Sequence, residues 1–318
     1  MSCKALTVTG RPPAGRLAGL ATCKTKTKAR GMEGAPTHED LLRVALGAAR
    51  LAGVIMCAQT GLIAPEEKGG QSDLVTAADR ECQEVIKRAI HSEFPAHRVL
   101  GEEDVPPGAE AASAALAEAL KENHASGGFL YLVDPIDGTT NFASGLPFCC
   151  TSIAVVQGGI PVVGVVYDPA RGEAFTAVRG RGAHLNGTPI HAGRAHALRE
   201  AVVGFGGLGR KPSLSEPTHR VIAALSGRCR AVRGLGSAAL HLAYVASGRL
   251  DAAFDLSLNA WDTAAGALIV EEAGGEITNF AGERFSLYTR DVLASSNRGQ
   301  VHQDLRDIFK EVGALPQV

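Results

Sequence analysis

The sequence is poor in aromatic residues and has no long uninterrupted hydrophobic run. Aromatics make up 5% of its 318 residues, with a single Trp, whereas 38 residues are Gly. No apolar stretch reaches the roughly 18–20 residues of a membrane-spanning helix, because Gly or charged residues interrupt the longest ones. The pattern therefore predicts no membrane span. The shares of hydrophobic (45%) and charged (20%) residues are typical of a soluble globular protein.

The seven cysteines lack the spacing of a metal site or a disulfide framework. No CxxC pair occurs, and no His lies at a spacing typical of zinc ligation. Cys57 and Cys82 lie among apolar residues in helical patterns, and Cys149 and Cys150 begin a predicted strand. We therefore expect buried free thiols in a reducing compartment. A catalytic cysteine is disfavoured, because no basic phosphate-binding loop follows any of them.

Acidic residues are missing from the start of the chain. No Asp or Glu precedes Glu33, whereas seven Lys and Arg residues do. The remainder has 25 basic and 33 acidic residues, a net charge of about −8, which argues against nucleic-acid binding and suits a protein that concentrates divalent cations. Residues 1–35 have the composition of a transit peptide for the chloroplast or another organelle. The alternative is a disordered basic tail on a cytoplasmic protein.

Helix and strand patterns alternate in blocks over residues 36–318, which we expect to form one domain. Capping-box patterns at Thr37–Asp40 and Thr76–Asp79 predict helix starts, with a polar, glycine-rich loop over 66–71 between the two helices. The apolar run Phe129–Val133, stopped by Asp134, predicts a buried strand. Further strands are predicted at Thr151–Val156, Val162–Tyr167, Ala174–Val178, Ala201–Val203 and Ala252–Asp255, and further helices near Ala109–Glu122, Glu216–Leu225, Ser237–Ala246, Thr263–Glu272 and Val301–Phe309. The block order predicts an α+β fold of layered sheets and helices.

The most informative stretch is Asp134–Phe142, with the sequence DPIDGTTNF. Two carboxylates lie three residues apart at the end of a buried strand, and the Gly-Thr-Thr that follows can offer N–H groups and hydroxyls to an anion. Carboxylates beside a phosphate repel it unless a divalent metal lies between them, and oxygen ligands favour Mg²⁺ or Mn²⁺ over zinc. The alternative is an acidic turn in which Asp134 or Asp137 caps the chain.

Two further acidic sites accompany this stretch. Glu102 and Glu103 follow a short apolar strand, so their carboxylates could reach the same sheet edge. Asp262 follows the single Trp at the start of an alanine-rich helical segment, where it could equally be a helix N-cap. Together the three acidic sites indicate a divalent-metal centre.

With these residues the sequence resembles the inositol monophosphatase family, which belongs to the lithium-sensitive, magnesium-dependent phosphatase superfamily. The resemblance runs from about Glu39 to Asn297 and rests on Gly101–Glu103, Asp134–Phe142 and Trp261–Gly275. It implies a layered αβαβα sandwich and a homodimer. It also implies hydrolysis of a small phosphate ester, with inositol 1-phosphate as the favoured substrate and myo-inositol and phosphate as the products.

The resemblance assigns two or three Mg²⁺ ions, or Mn²⁺, to a set of oxygen ligands. The first ion would contact Glu102, Asp134 and the main-chain carbonyl of Ile136. The second would contact Asp134, Asp137 and Asp262. A third, weaker ion would contact Glu102 and Asp79, largely through water.

The resemblance also implies roles in catalysis and substrate binding. Glu102 and Thr139, with Thr139 paired to Asp79, would orient or deprotonate the attacking water. The N–H groups of Gly138 and Thr139 would bind the phosphate. The substrate would also contact Asp137 and Asp262. Its alcohol part would be read by the segment 204–210, by Ser237 and Ala238, and by Asp255. Asp255 stands where relatives usually carry a glutamate, which is one methylene longer, and Lys68 lies on a loop that acts as a flap.

Several substrates remain open, because the same metal site serves them all. They are histidinol phosphate, fructose 1,6-bisphosphate, galactose 1-phosphate and a 3′-phosphoadenosine nucleotide. A non-enzyme alternative is a catalytically silent, metal-dependent binding protein. It is disfavoured because every acid of the site and Thr139 are present.

Overall fold

Three layers of helices alternate with two β-sheets. A computed structural model describes residues 35–70, 73–207, 212–296 and 300–314, so residues 1–34 of the predicted tail, with their two cysteines, lie outside the described part. Residues 36–318 form one compact unit. Its helices are α1 (His38–Gln59), α2 (Ala77–Glu93), α3 (Ala109–Ser126), α4 (Thr139–Ala143), α5 (Pro212–Leu225), α6 (Ala238–Ala246), α7 (Ala260–Glu272) and α8 (Val301–Glu311).

The strands form two large sheets and one hairpin. They are β1 (Glu66–Gly70), β2 (Asp73–Val75), β3 (Arg98–Gly101), β4 (Leu130–Asp137), β5 (Cys150–Gln157), β6 (Ile160–Asp168), β7 (Glu173–Val178), β8 (Ala183–Leu185), β9 (Thr188–Pro189), β10 (Val202–Phe205), β11 (Ala231–Gly234), β12 (Ala252–Asp255), β13 (Gly275–Thr278) and β14 (Val292–Ser296). Strands β3 to β9 form a seven-stranded sheet in sequence order. The second sheet has the order β11-β10-β12-β14-β13, and β1 pairs with β2 alone.

The apolar surface of each helix determines its layer. Helices that are apolar on one side lie outside the sheets, and helices that are apolar all round lie between them. Helices α1 and α2 pack on one face of the seven-stranded sheet, and α6 and α7 pack between the two sheets. Every residue of α6 is buried, as expected for a helix that is apolar all round. Close packing is visible at Gly164 of β6, where a Cβ would lie 2.7 Å from the Ala265 carbonyl oxygen of α7. Helices α5 and α8 cover the outer face of the second sheet. The predicted layered α+β sandwich is confirmed.

Helix α1 begins as the sequence predicts. The Thr37 hydroxyl accepts a hydrogen bond from the Asp40 N–H at 3.2 Å, and the Asp40 carboxylate accepts one from the Thr37 N–H at 3.1 Å. Among the described residues, α1 alone is long and apolar enough to cross a membrane. Its side chains Leu41 and Met56 are fully buried in the core beside α2 and the large sheet. One face of α1 thus belongs to the core.

Three local predictions are corrected by the structure. The stretch predicted as a loop over 66–71 contains strand β1, which pairs with β2 in a hairpin. Strand β4 does not stop at Asp134 but runs on to Asp137, with an irregular register between these residues. It can continue because its neighbour β5 still pairs with it there. Cys57 is exposed, whereas Cys82, Cys149 and Cys150 are buried free thiols as predicted.

Candidate active site

The acidic residues meet at one edge of the seven-stranded sheet. Strands β3 and β4 are parallel, so Glu102, which follows β3, and Asp134 near the end of β4 lie at the same edge. Asp262 reaches this edge from the first turn of α7. One carboxylate oxygen from each of Glu102, Asp134 and Asp262 lies within 4.8 Å of the other two. The topology thus brings together three acids that are far apart in the sequence.

Asp134 is the most unfavourably placed of these acids. Its side chain is buried, with 3% of the residue exposed, and its Oδ1 atom has no hydrogen-bond partner. Burial raises the pKa of Asp134 well above its ordinary value, and the charges of Glu102, Asp137, Asp262 and Asp79 raise it further. A divalent cation would compensate such a group of like charges, and its all-oxygen donors are those that Mg²⁺ prefers. The site therefore fits the metal that the sequence implies.

Gln83 of α2 holds the segment that carries Glu102. Its Oε1 accepts a hydrogen bond from the Glu103 N–H at 3.0 Å, and its Nε2 donates to Asp104 Oδ1 at 3.1 Å. Gly101 makes room for this contact, because a Cβ there would overlap the Gln83 amide. Sequence reasoning missed Gln83. The available signal was its position four residues after Asp79, on the same face of α2.

Asp79 connects the start of α2 to the turn after β4. Its Oδ2 accepts hydrogen bonds from the Thr76 N–H at 2.7 Å and the Thr76 hydroxyl at 2.6 Å. Its Oδ1 lies 3.3 Å from the Thr139 Oγ1, which donates to it or to the Ile136 carbonyl oxygen at 3.1 Å. The structure thus brings together Asp79, Thr139 and the Ile136 carbonyl.

Gly138 shapes the turn that precedes Thr139. Its φ of 93° lies in the left-handed region, and a Cβ there would lie 2.8 Å from the Phe148 carbonyl oxygen. Only glycine meets both conditions without strain. The turn leads directly into α4, whose first N–H groups have no intrahelical partner. Such groups are suited to bind phosphate oxygens.

Asp137 lies outside the group of three carboxylates. Its Oδ2 accepts hydrogen bonds from the Ser237 hydroxyl and from the Ala239 N–H, both at 2.6 Å, at the start of α6. Burial raises the pKa of Asp137, and these hydrogen bonds partly offset that rise. A carboxylate has further lone pairs, so these contacts leave it able to bind a cation as well. The sequence predicted Ser237 as the start of a helix and, from the family resemblance, as part of the region that reads the alcohol part of the substrate; its contact with Asp137 was not predicted.

Asp262 is not the N-cap of α7. The N-cap is Asn259, and Asp262 occupies the third helical position, where its Oδ2 accepts a hydrogen bond from the Asn259 N–H at 2.7 Å. The helix begins earlier than the apolar pattern suggests, because Ala260 and Trp261 already have helical geometry. A carboxylate in the first turn is stabilised by the helix dipole and stays on the side of the acidic group.

Of the predicted substrate contacts beyond the acidic group and the turn, the structure describes Asp255 but only part of the others. Asp255 ends strand β12 and is 7% exposed, with its Oδ2 atom 2.8 Å from Nδ1 of His241. Lys68 lies in strand β1, but the position of its side chain is outside the described part of the structure. Residues 208–210 of the predicted alcohol-binding segment are also outside it.

Comparison with known proteins identifies the class. The model of the inositol monophosphatase family matches residues 37–313. An inositol monophosphatase from Mesembryanthemum crystallinum is 38% identical over 259 residues, which cover 81% of this chain and 92% of the relative. The Nus factor SuhB of Escherichia coli K12 is 35% identical over 260 residues, 81% of this chain and 92% of that protein. The structure of an IMPase from Thermotoga maritima matches with a TM-score of 0.74 and 33% identity, over 86% of this chain and 98% of the other.

The matches, the fold and the acidic group all indicate the same class of protein. The protein is a phosphoric monoester hydrolase of a metal-dependent class. More particularly, the chain belongs to the inositol monophosphatase family.

Proposed function

We propose that the protein is a Mg²⁺-dependent phosphatase that hydrolyses inositol 1-phosphate to myo-inositol and phosphate. The observation that carries this proposal is the group of Glu102, Asp134 and Asp262, with the unpartnered Asp134 Oδ1 inside it. The turn at Gly138 and Thr139, which leads into α4, follows soon after Asp134 in the chain. The name of the plant relative supports the substrate.

The ligands offered to the metal are oxygens from separate elements. Glu102, Asp134 and Asp262 would hold Mg²⁺, with the Ile136 carbonyl and a remaining lone pair of Asp137 completing two or three ion positions. Bound Mg²⁺ would neutralise the charge of the phosphate and lower the pKa of a coordinated water. Mn²⁺ would meet the same ligands. The carboxylates alone would repel the substrate, so activity should depend strictly on added metal.

The chain's own groups place the attacking water. The Thr139 hydroxyl can donate a hydrogen bond to the Asp79 carboxylate, and the Thr139 oxygen then keeps a lone pair that can accept a proton from water. As the water attacks, its proton passes to the Thr139 oxygen while the Thr139 proton moves to Asp79, and Glu102 can orient the same water. The bond between phosphorus and the inositol oxygen breaks as the new bond to the water oxygen forms, and the inositol oxygen takes a proton from solvent. The N–H groups of Gly138 and Thr139, at the start of α4, orient the phosphate for in-line attack. No covalent enzyme intermediate is required.

The test is phosphate release by the full-length protein with Mg²⁺ from a panel of esters. The panel contains inositol 1-phosphate, histidinol phosphate, fructose 1,6-bisphosphate, galactose 1-phosphate and 3′-phosphoadenosine 5′-phosphate. We expect the highest kcat/KM on inositol 1-phosphate. A higher value on another ester would replace the substrate but keep the reaction. No turnover of any ester by a protein that binds Mg²⁺ would favour a catalytically silent binding protein.

We also infer a homodimer, as the family resemblance implies. Sedimentation velocity at micromolar concentration should show a species of twice the mass of the 32.9 kDa chain. A monomer across the whole concentration range would exclude this assembly.

We infer further that residues 1–35 direct the protein to the chloroplast or another organelle. The plant relatives are compatible with this origin. A fluorescent protein fused behind residues 1–35 should enter an organelle in plant cells, whereas cytoplasmic fluorescence would contradict a transit peptide.

A further inference from the structure

A buried histidine supports the predicted alcohol-binding residue. His241 of α6 is 0% exposed, and its Nδ1 lies 2.8 Å from Oδ2 of Asp255 at the end of β12. Nothing in the acidic group itself requires this histidine. A lone His in an apolar helix is by default a core residue, so its partners decide whether it does more.

The two hydrogen-bond partners of the His241 ring fix its tautomer. The Leu235 N–H donates a hydrogen bond to His241 Nε2 at 3.2 Å, so Nε2 carries no proton. The proton of the neutral ring is therefore on Nδ1, and it is donated to the Asp255 carboxylate. This hydrogen bond holds the Asp255 carboxylate in a fixed orientation.

Two glycines make room for this pair. A Cβ on Gly206 would overlap the Oδ1 atom of Asp255, and a Cβ on Gly204 would lie 3.2 Å from the His241 ring. Gly204 is on β10, two residues before Gly206, so both lie on the same side of the extended chain. The pair is thus confined by the main chain of β10 and of Gly206 just after it, as well as by its own hydrogen bond.

One oxygen of the pair remains available to a ligand. Within the described part of the chain, no group donates a hydrogen bond to Asp255 Oδ1, and one-tenth of the Asp255 side chain is exposed. Asp255 also lies close enough to Asp137 for its charge to raise the pKa of that residue. Ser237, which contacts Asp137, and His241, which contacts Asp255, lie four residues apart at the start of α6, so both acids are held by the same end of this helix.

We propose that His241 is a positioning residue for substrate selection: it holds Asp255 as a fixed acceptor for a hydroxyl group of the alcohol part of the substrate. This rests on the proposed function, because it assumes a phosphorylated polyol in the site. A hydroxyl of the substrate donates to Asp255 Oδ1, while Oδ2 stays bonded to the His241 N–H. Esters without a hydroxyl near the phosphate gain nothing from this contact.

Two phosphate esters with the same six-membered ring distinguish an effect on hydroxyl binding from an effect on the hydrolysis step. Inositol 1-phosphate carries hydroxyls, whereas cyclohexyl phosphate lacks them. His241→Phe keeps a ring but removes both nitrogens, and it should lower kcat/KM for inositol 1-phosphate about 10- to 100-fold, the loss expected for one hydrogen bond to a charged group. The loss should lie mainly in KM, because the contact exists before and during the reaction. On cyclohexyl phosphate the loss should not exceed about threefold.

Two further variants test whether the effect passes through Asp255. The side chain in His241→Asn can still donate an N–H to Asp255. This variant should therefore retain most of the kcat/KM for inositol 1-phosphate that His241→Phe loses. Combining His241→Phe with Asp255→Asn should cost no more than the larger single change. The exposed His219→Phe is the matched control and should behave as the wild type. Equal losses on both esters, or no loss on either, would overturn the proposal.

A measurement without turnover covers the case in which a variant does not fold. The ¹⁵N chemical shifts of His241 in the wild-type protein at pH 7 should be those of a neutral ring protonated at Nδ1. A ring protonated at Nε2, or at both nitrogens, would contradict the assigned hydrogen bonds. Turnover of cyclohexyl phosphate by the wild type tests the phosphatase activity separately, so a failure of the proposed function is distinguishable from a failure of the role of His241.

Discussion

At the scale of single residues, the site contains a buried carboxylate, Asp134, whose charge destabilises the metal-free protein. Asp134 is buried among other acids, and its Oδ1 atom has no partner. A carboxyl whose pKa is raised on folding contributes stability below its ordinary value of 3.8, and that contribution is lost as the pH rises. At neutral pH the charged group therefore weakens the metal-free fold. Bound metal removes this cost.

Asp134→Asn should accordingly separate stability from activity. The variant keeps the shape but removes one charge, so the metal-free protein should unfold at a higher temperature than the wild type. Activity should fall by about 10² to 10⁴, as for other losses of electrostatic stabilisation in a transition state. Thermal unfolding in EDTA and phosphate release in Mg²⁺ measure the two effects. Asp307→Asn, on the exposed surface of α8, is the control and should change neither. A destabilised metal-free Asp134→Asn would contradict this account of the charge.

At the scale of elements, each helix start near the site has both a structural and a chemical role. Ser237 is the N-cap of α6, where its Oγ accepts a hydrogen bond from the Leu240 N–H at 3.2 Å. The same hydroxyl donates to Asp137 Oδ2. The start of α6 and a predicted metal ligand are therefore fixed by one side chain.

Ser237→Ala should lower both stability and activity. Loss of the cap should cost about 0.5–2 kcal/mol in the free energy of unfolding, measured by urea denaturation. The orientation of Asp137 should be lost with it, and kcat/KM should fall. Ser92→Ala on the exposed end of α2 should change the free energy of unfolding by less than about 0.5 kcal/mol. Unchanged stability in Ser237→Ala would show that the hydroxyl does not cap the helix in solution.

At the scale of the whole molecule, the outermost layer carries a pH-dependent contact. His302 of α8 is 4% exposed and bonds to Thr278 at 2.9 Å and Ser295 at 2.8 Å, which joins α8 to the second sheet. Burial lowers the pKa of His302 below its ordinary value of 6.5, against the opposing charge of Glu276. The unfolded chain therefore takes up a proton at His302 below pH 6.5 that the folded chain excludes.

The free energy of unfolding should consequently fall as the pH drops below 6.5, by up to about 1.4 kcal/mol per pH unit for each excluded proton. Urea denaturation at pH 7.5 and 5.5 measures this slope. His302→Gln should have a smaller slope than the wild type, because that proton uptake is absent. Other titrating groups are common to both proteins, so the difference isolates His302. Equal slopes would contradict the assignment.

Much of this fold could be predicted from local sequence rules. The caps at Thr37 and Thr76 were found because a hydroxyl and a carboxylate three residues later satisfy both ends of a capping box. Strand β12 was predicted with its observed bounds. These features depend on neighbours in the sequence.

What could not be predicted depends on partners far away in the sequence. Strand β4 continues through Asp134 because β5 pairs with it, although a charged residue ends the apolar run. Strands β11, β13 and β14 were missed because sheet pairing, rather than their own pattern, defines them. Gln83 and His241 were missed for the same reason, since their roles arise only from the residues that folding brings beside them.

The most direct test of the central claim is phosphate release from inositol 1-phosphate over a titration of Mg²⁺, for the wild type and Asp134→Asn. We expect no release by the wild type in EDTA, saturable activation by Mg²⁺, and a loss of about 10² to 10⁴ in the variant at every concentration. Release that persists in EDTA, or equal activity in both proteins, would contradict a metal-dependent phosphatase centred on these carboxylates.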